Sequence, residues 1–384
     1  MILSKKFISK ILLHKLLSII IFLFLSITKY IYLLSKYYQL KDGKKYINKC
    51  LQKSQFNRKL HIKNSPPKIS VIIPVYNCED SIGLSVSSIQ NQRLLEIEII
   101  LVNDFSTDNS RFIIENMQKL DSRIVIINNN KNMGTLYSRN IGAIYANGSY
   151  IFCLDNDDMF FRDNIFSKLY NIELKYNYDI LGFKVINGDN YKADISSMHD
   201  DLFISKKNDM VVYQPNLKLL SIRNNDIHIW GKCIKNEIFK KAISLLGAQR
   251  STTYLCNAED DVIVLMLFNA AKSFRFIPIY GLFHFLSKKT ATYTLPKDHI
   301  LFSKLFFLDL LYDITGNTFS EKQYVVNNAI IIKNFILSKN LTFNQKNTDY
   351  LKKILRKIFS CQKIKDENKT YLKTNFLTFN FKFN

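Results

Sequence analysis

Three carboxylates fall within four residues in the run Asp155-Asn156-Asp157-Asp158. Carboxylates this close together repel one another and raise one another's pKa unless a cation lies among them. Oxygen ligands suit Mg²⁺ or Mn²⁺, and a substrate diphosphate commonly completes the shell of such an ion. The alternative is an acidic turn between a strand and a helix, in which Asp157 or Asp158 caps a helix beginning near Arg162. The run follows a short apolar segment, which favours the metal interpretation.

A second acidic cluster, Glu259-Asp260-Asp261, comes just before an apolar stretch at 262–270 that we expect to be helical. Acids in the first turn of a helix complement the helix dipole, which is the structural interpretation. A carboxylate can also remove a proton from a substrate as a general base. The residues alone leave both interpretations open.

The elements that must position these acids begin at residue 69, where apolar strands alternate with helices. We predict strands at 69–75, 97–102, 124–127 and 150–154, and helices at about 81–92, 110–120 and 134–147. This alternation predicts right-handed crossovers and a Rossmann-like α/β fold, with a mainly parallel sheet and helices on both faces. Ligands of such sheets bind beyond the carboxyl ends of the strands. The GxGxxG and GxxxxGK[ST] motifs are absent, which argues against a dinucleotide site and a P-loop.

The composition indicates a globular protein with basic ends. Of 384 residues, 47% are hydrophobic and 22% are charged, and the formal net charge is +22. Residues 1–68 hold 15 basic residues and one acidic residue, whereas the body is nearly neutral. Basic ends favour an anionic membrane surface over nucleic acid, although abundant solvated lysine is the alternative. The six cysteines form no CxxC pair, so a zinc site is not expected.

The N-terminus favours a membrane anchor. The window 16–34 contains one lysine in 19 residues, about the length that spans a bilayer core. We therefore predict a single-pass N-terminal anchor and basic segment at 1–40 and a linker at 41–68. The side of the membrane stays open, because both flanks are basic. A catalytic domain is expected at 69–290, followed by a C-terminal helical region and tail at 291–384, with helices at 301–314, 324–338 and 350–359.

Five short motifs between residues 69 and 158 together resemble those of family 2 glycosyltransferases with the GT-A fold. They are ISVIIPVYN at 69–77, VNDFSTD at 102–108, NMG at 132–134, SRNIG at 138–142 and LDNDD at 154–158. The motifs stand in the family's order and spacing, and the likeness continues more weakly to about residue 290. The resemblance implies an inverting, metal-dependent transfer of a sugar from a nucleotide-sugar to an acceptor hydroxyl.

The resemblance assigns the nucleotide-sugar to residues that follow the predicted strands. Asp104 matches the carboxylate that accepts a hydrogen bond from uracil N3–H, and Tyr76 offers a ring for the base beside Pro74. Arg139 matches an arginine near the diphosphate or donor sugar, with an ion pair to one of the acids as the alternative. Asp155 belongs to the same donor site.

The same resemblance implies a metal site and an acceptor side. Asp155 and Asp157 match the DxD signature, which holds Mn²⁺ or Mg²⁺, whereas a helix cap is the expected role of the third acid, Asp158. A lone histidine, His284, is either structural or a further metal or phosphate contact. Asp260 is the implied catalytic base.

We expect the acceptor to lie along Trp230, Lys232 and Glu259. Trp230 is the only tryptophan of the chain. Its ring is either a platform for a sugar face or part of the core.

The sequence departs from the family pattern at two neighbouring positions. Asn103 stands where the family usually has a first acid, and Phe105 replaces a common glycine, which suggests an altered turn. The acceptor class stays open among glycans, glycolipids and protein glycans, as does the donor sugar. The alternative to an enzyme is a catalytically inactive nucleotide-sugar-binding protein or membrane-tethered scaffold of the same fold. No nucleic-acid partner is expected.

Overall fold

A computed structural model describes residues 66–188, 228–255, 258–285, 297–314 and 345–360, together with Val325, Ala329 and Ile332. The predicted anchor at 1–40, nearly all of the linker and the tail at 371–384 lie outside these residues. Within the described part of the chain, no helix combines the length and apolar character needed to cross a membrane.

Eight strands form one sheet in the order β3-β2-β1-β4-β7-β6-β8-β5. Their bounds are β1 Ile69–Val75, β2 Ile97–Asn103, β3 Ile124–Asn128, β4 Tyr150–Cys153, β5 Met159–Phe160, β6 Ile180–Gly188, β7 Lys232–Lys235 and β8 Phe274–Phe285.

The described helices connect and cover these strands. Their bounds are α1 Ile82–Gln90, α2 Ser110–Leu120, α3 Thr135–Tyr145, α4 Ile165–Tyr176, α5 Asn236–Leu246, α6 Ala248–Ser251, α7 Glu259–Ala270, α8 Lys297–Ile314 and α9 Gln345–Ser360. The predicted helix at 324–338 is described at three positions, and each of them is helical and buried.

The first half of the sheet is parallel, as predicted, because α1, α2 and α3 carry the chain back between successive strands. Strand β1 pairs in parallel with β2 and β4, and β2 pairs in parallel with β3. The register aligns Val75 with Asn103 and Asn103 with Asn128, so these three strands end at the same level. The loops that follow them therefore meet at one edge of the sheet.

The second half of the sheet contains antiparallel pairs, so the prediction of a mainly parallel sheet is wrong for this half. Strand β7 is antiparallel to β4 and to β6, and β5 is antiparallel to β8. Strands β6 and β8 run parallel, with register shifts on either side of Lys184. The sheet is therefore mixed.

Burial on both faces explains the continuous apolar strands. All seven residues of β1 and all seven of β2 are buried. Ile72 packs into a core with α3, α5, α7 and α8, whereas Val71 and Ile73 pack into a second core with α1, α2 and α4. Alternate side chains of one strand thus enter opposite cores, so each must be apolar.

Candidate active site

The acidic run 155–158 forms a turn between β4 and β5 that neighbouring elements hold in place. The side-chain amide of Asn156 donates to the backbone carbonyl of Pro74 at 3.0 Å. The backbone carbonyl of Asn156 accepts from the hydroxyl of Ser85 at 2.8 Å. Pro74 is buried within β1, and its contact with a nucleotide stays a prediction. The contribution of Pro74 in this structure is to fix the acidic turn through its carbonyl.

A buried arginine joins the two acidic clusters. Arg139 lies on α3 and is 2% exposed. Its Nη2 is 2.6 Å from Asp155 Oδ1, its Nη1 pairs with Asp260 Oδ1, and the same Nη1 is 3.7 Å from Glu259 Oε1. A buried guanidinium needs such partners, because an unpaired charge in the interior is very costly. The ion-pair alternative from the sequence is thus present, and it involves three acids instead of one.

Asp158 is not a helix cap. It is fully buried, and its carboxylate lies 2.9 and 3.0 Å from Nδ1 of His284 and accepts from the N–H of Phe285 at 3.1 Å. Helix α4 begins later, with Asn164 as its N-cap. Burial raises the pKa of Asp158 to about 7, although His284 opposes this shift. The pKa of His284 is raised by Asp158 against the opposing effect of burial.

The residues at this turn fit a divalent cation. One ligand atom from each of Asp155, Asp158 and His284 lies within 4.8 Å of the other two. The two carboxylates suit Mn²⁺ or Mg²⁺, and the imidazole favours a transition metal such as Mn²⁺ over Mg²⁺. Asp157, the predicted ligand, does not belong to this group. The pKa of Asp157 is raised by burial and by the nearby negative charge of Asp155.

Asp104 organises the loop between β3 and α3. It is 3% exposed. Its Oδ1 accepts from the N–H of Met133 and the amide of Asn129, both at 2.8 Å, and its Oδ2 accepts from the N–H of Gly134 at 2.8 Å. The predicted contact with uracil would add to these bonds and stays a prediction.

The two departures from the family pattern have structural counterparts. Phe105 has a φ of +64°, in the region where glycine is favoured, so the usual glycine at this position has a physical reason. The amide of Asn103 donates to Asn128 at 2.8 Å, and its side-chain oxygen accepts from the N–H of Ser106 at 3.1 Å. Asn103 therefore serves as a hydrogen-bonding support for the turn. Tyr76 is exposed at the end of β1, and its stacking on a base stays a prediction.

The second acidic cluster opens α7, where Ala258 has a φ of +58° as N-cap. Burial raises the pKa of Asp260, but the charge of Arg139 outweighs burial and the net value is about 2. For Glu259 the net shift is upward, because burial and the charge of Asp260 raise its pKa to about 7. The same two effects raise the pKa of Asp261 to about 6. Two neighbouring acids of this cluster therefore differ strongly in basicity.

Trp230 belongs to a stack of three rings. Its indole stacks on His228 at 4.2 Å and 7° and on His284 at 5.1 Å and 21°. Both neighbouring rings lie nearly parallel to the indole, and its role as a platform for a sugar face stays a prediction. Lys232 is buried, and its Nζ donates to the carbonyl of His228 at 2.5 Å. Its place on the acceptor side stays a prediction.

Sequence reasoning missed two members of this site. His228 was not singled out, although it stands two residues before Trp230. Asn129, a partner of Asp104, follows directly after β3. The signal for Asn129 was its position, because residues beyond a strand end were expected to line the site.

The mixed sheet and the helices that cover it form a GT-A-like fold. The structure resembles the crystal structure of S. aureus TarS 1–349 in complex with UDP, with a TM-score of 0.55 and 15% sequence identity. The match covers 81% of this chain and 87% of that chain. At this identity the likeness concerns the fold.

Residues 70–231 match the family model described as glycosyl transferase family 2. A β-1,3-glucosyltransferase of Campylobacter jejuni, named for GalNAc(5)-diNAcBac-PP-undecaprenol, is 38% identical over 93 residues, or 24% of this chain and 30% of the relative. WfaP of Escherichia coli, named as a UDP-Glc:α-D-GlcNAc-diphosphoundecaprenol β-1,3-glucosyltransferase, is 39% identical over 105 residues, or 27% of this chain and 41% of the relative.

The chain spans between 29% and 52% of the length of the first three curated relatives that it matches.

Proposed function

We propose that the protein is a metal-dependent inverting glycosyltransferase that moves a sugar from a UDP-sugar to a hydroxyl of a lipid-linked glycan. One observation carries the proposal: Asp155 of the β4–β5 turn and Asp260 of α7 both pair with one buried arginine, Arg139. These acids are 105 positions apart in the sequence and belong to the donor and acceptor sides that the family resemblance implies. The two sides are therefore joined through Arg139, and a transfer requires that donor and acceptor lie close together.

The relatives support the choice of substrates. The printed names of two curated relatives specify undecaprenol-linked acceptors, and one of them specifies UDP-Glc. The solved structure with the same fold holds UDP. We therefore infer a uridine nucleotide for the donor and a polyprenyl-diphosphate glycan for the acceptor.

The residues of the chain have separate roles in this proposal. Tyr76 and Asp104 orient the base of the donor at the ends of β1 and β2. Asp155, Asp158 and His284 would hold the divalent cation, with Asp157 beside them. A bound cation of this kind neutralises the charge of a departing diphosphate, an effect worth several kcal/mol. The acids of α7 act on the acceptor hydroxyl.

Nucleotide release tests the proposal. Full-length protein with Mn²⁺, a panel of UDP-sugars and a polyprenyl-diphosphate glycan should release UDP and form a product with inverted anomeric configuration. We expect Asp155→Asn and Asp260→Asn to lower turnover by a factor of at least about 10². Because Trp230 is the only tryptophan and stacks on His284, its emission should also change when Mn²⁺ binds.

Two controls separate binding from chemistry. His284→Asn should remove the Mn²⁺-dependent change in Trp230 emission, and EDTA should reverse this change in the wild type. Binding of UDP-sugar without any release of UDP by the wild type would contradict the enzyme proposal and would support the nucleotide-sugar-binding alternative.

A further inference from the structure

His228 presents an exposed aromatic ring beside the acids of α7. Its side chain is 47% exposed. One face of the imidazole stacks on the indole of Trp230, with the ring centroids 4.2 Å apart and the planes at 7° to each other. The Nδ1 edge of the ring lies towards Asp260, with Nδ1 3.7 Å from Oδ2. The exposed part of the ring is therefore the face opposite the indole, together with the edge that carries Nε2.

The backbone on both sides of this ring is held by hydrogen bonds. The N–H of Ile229 donates to Oδ2 of Asp260 at 3.3 Å. The carbonyl of His228 accepts from Nζ of Lys232 at 2.5 Å, and Lys232 is buried. These bonds and the stack on Trp230 order the ring in the free protein. A side chain that is already ordered loses little conformational entropy when a ligand binds to it.

A pyranose ring is a suitable partner for this surface. Its C–H groups form an apolar face, whereas its hydroxyls project mainly around the rim. An aromatic ring carries negative charge density on its faces, which favours contact with polarised C–H groups. A sugar that lies on the free face of His228 has some of its rim hydroxyls on the side where Asp260 lies. This placement suits the sugar that carries the attacking hydroxyl, because a general base must lie within hydrogen-bond reach of the proton that it removes.

We propose that the exposed face of His228 is the platform on which the acceptor sugar lies. This assignment rests on the proposed function and adds a binding residue on the acceptor side. Asp260 keeps the role of proton acceptor that the family resemblance implies. Trp230 supports the platform from behind, because its indole covers the other face of the imidazole. The imidazole acts through its flat apolar face and takes up no proton from the acceptor.

Three substitutions separate the face of the ring from its nitrogens. His228→Phe keeps a flat ring and removes both nitrogens, His228→Asn keeps polar groups and removes the ring, and His228→Ala removes both. We expect the Ala and Asn variants to raise the KM for a polyprenyl-diphosphate glycan about tenfold, whereas the Phe variant should stay within about threefold of wild type. The kcat of all three should stay within about threefold, because lost ground-state binding raises KM without lowering kcat.

The emission of Trp230 gives a second readout, which depends on contact and not on turnover. Trp230 is the only tryptophan, and its indole stacks on His228. In Asp260→Asn, whose turnover should be low, titration with the same glycan in the presence of UDP and Mn²⁺ should change this emission. Adding His228→Phe should preserve the titration, whereas adding His228→Ala should weaken it about tenfold.

The outcomes distinguish this assignment from the proposed function. If wild type transfers sugar and the Ala variant keeps the acceptor KM of wild type, the platform is wrong, whereas the proposed function stands. A Phe variant as weak as the Ala variant would show that a ring nitrogen holds the acceptor, which also overturns the assignment. So would an equal rise in the KM for the UDP-sugar, since it would place His228 on the donor side. If wild type transfers no sugar to any acceptor, the proposed function fails, and this assignment fails with it.

Discussion

At the scale of single residues, buried charges in the site pair with one another. Arg139 is paired with Asp155 and Asp260, and Asp158 is paired with His284. Each pair joins residues that are distant in the sequence. The pairs therefore hold together the parts of the chain that are proposed to meet substrates. They can do so even if they add little to the free energy of unfolding.

Gly134 gives the first prediction at this scale. Its φ is +86°, and an added Cβ would lie 2.8 Å from the carbonyl oxygen of Leu255. Gly134→Ala should lower the free energy of unfolding by about 1–3 kcal/mol, from strain and close contact. The change should also weaken nucleotide binding, because the N–H of Gly134 donates to Asp104. Urea denaturation and a UDP titration measure the two effects.

Gly83 is the matched control for this substitution. It lies in α1, and an added Cβ would meet nothing within 4 Å. Gly83→Ala should be neutral or should raise stability by up to about 1 kcal/mol, since alanine favours a helix. Equal losses of stability in the two variants would contradict the explanation by φ and contact.

At the scale of elements, the sequence predicts those parts that depend on local patterns. Strand β1 at 69–75 and helix α2 at 110–120 have the predicted bounds. Continuous apolar runs and short polar breaks determine both. The grouping of Asp155, Asp158 and His284 was predicted only in part, because the contact between Asp158 and His284 joins residues 126 positions apart.

The mixed half of the sheet was not predicted for a related reason. Strand β7 has four residues and begins with the buried Lys232. Its place between β4 and β6 is fixed by pairing with distant strands, and strand preference depends strongly on such neighbours. The stacking of Trp230 on His284 also joins residues that are distant in the sequence.

Helix α4 carries a buried acid that makes stability depend on pH. Glu173 is 1% exposed, and neither carboxylate oxygen has a hydrogen-bond partner among the described residues. Burial raises the pKa of Glu173 to about 8, although Lys235 opposes the shift. The folded state therefore favours the protonated acid. The stability that the protonated Glu173 contributes is fully present below the pKa of the unfolded state, near 4.5. It is lost as pH rises towards 8.

Glu173→Gln should remove most of this dependence. At pH 8 we expect the variant to be more stable than wild type by on the order of 3 kcal/mol, whereas at pH 4 the two should be similar. Urea denaturation at several pH values measures the difference. If the variant is instead less stable than wild type at pH 8, the fold stabilises the ionised carboxylate and this explanation is wrong.

At the scale of the whole molecule, charge and apolar sequence are unevenly distributed. The chain has 54 basic and 32 acidic residues, and the basic excess lies mainly in 1–68 and in the C-terminal segment that begins in α9. Exposed Lys353 and Arg356 lie on α9, whose Ile354 and Leu355 are buried. A lipid-linked acceptor would have to be met at a membrane surface. Both ends of the chain therefore suit the location that the proposed acceptor requires.

The proposal of an N-terminal anchor leads to a prediction that separates it from surface attraction. Full-length protein should float with lipid vesicles in high salt, because apolar insertion is not screened by ions. A variant lacking residues 1–40 should bind only vesicles that contain anionic lipid, and about 0.5 M salt should release it, because screening shortens the reach of surface charge. This variant should still release UDP with a soluble acceptor, which shows that the domain is intact. Equal, salt-resistant flotation of both proteins would place the anchor outside residues 1–40.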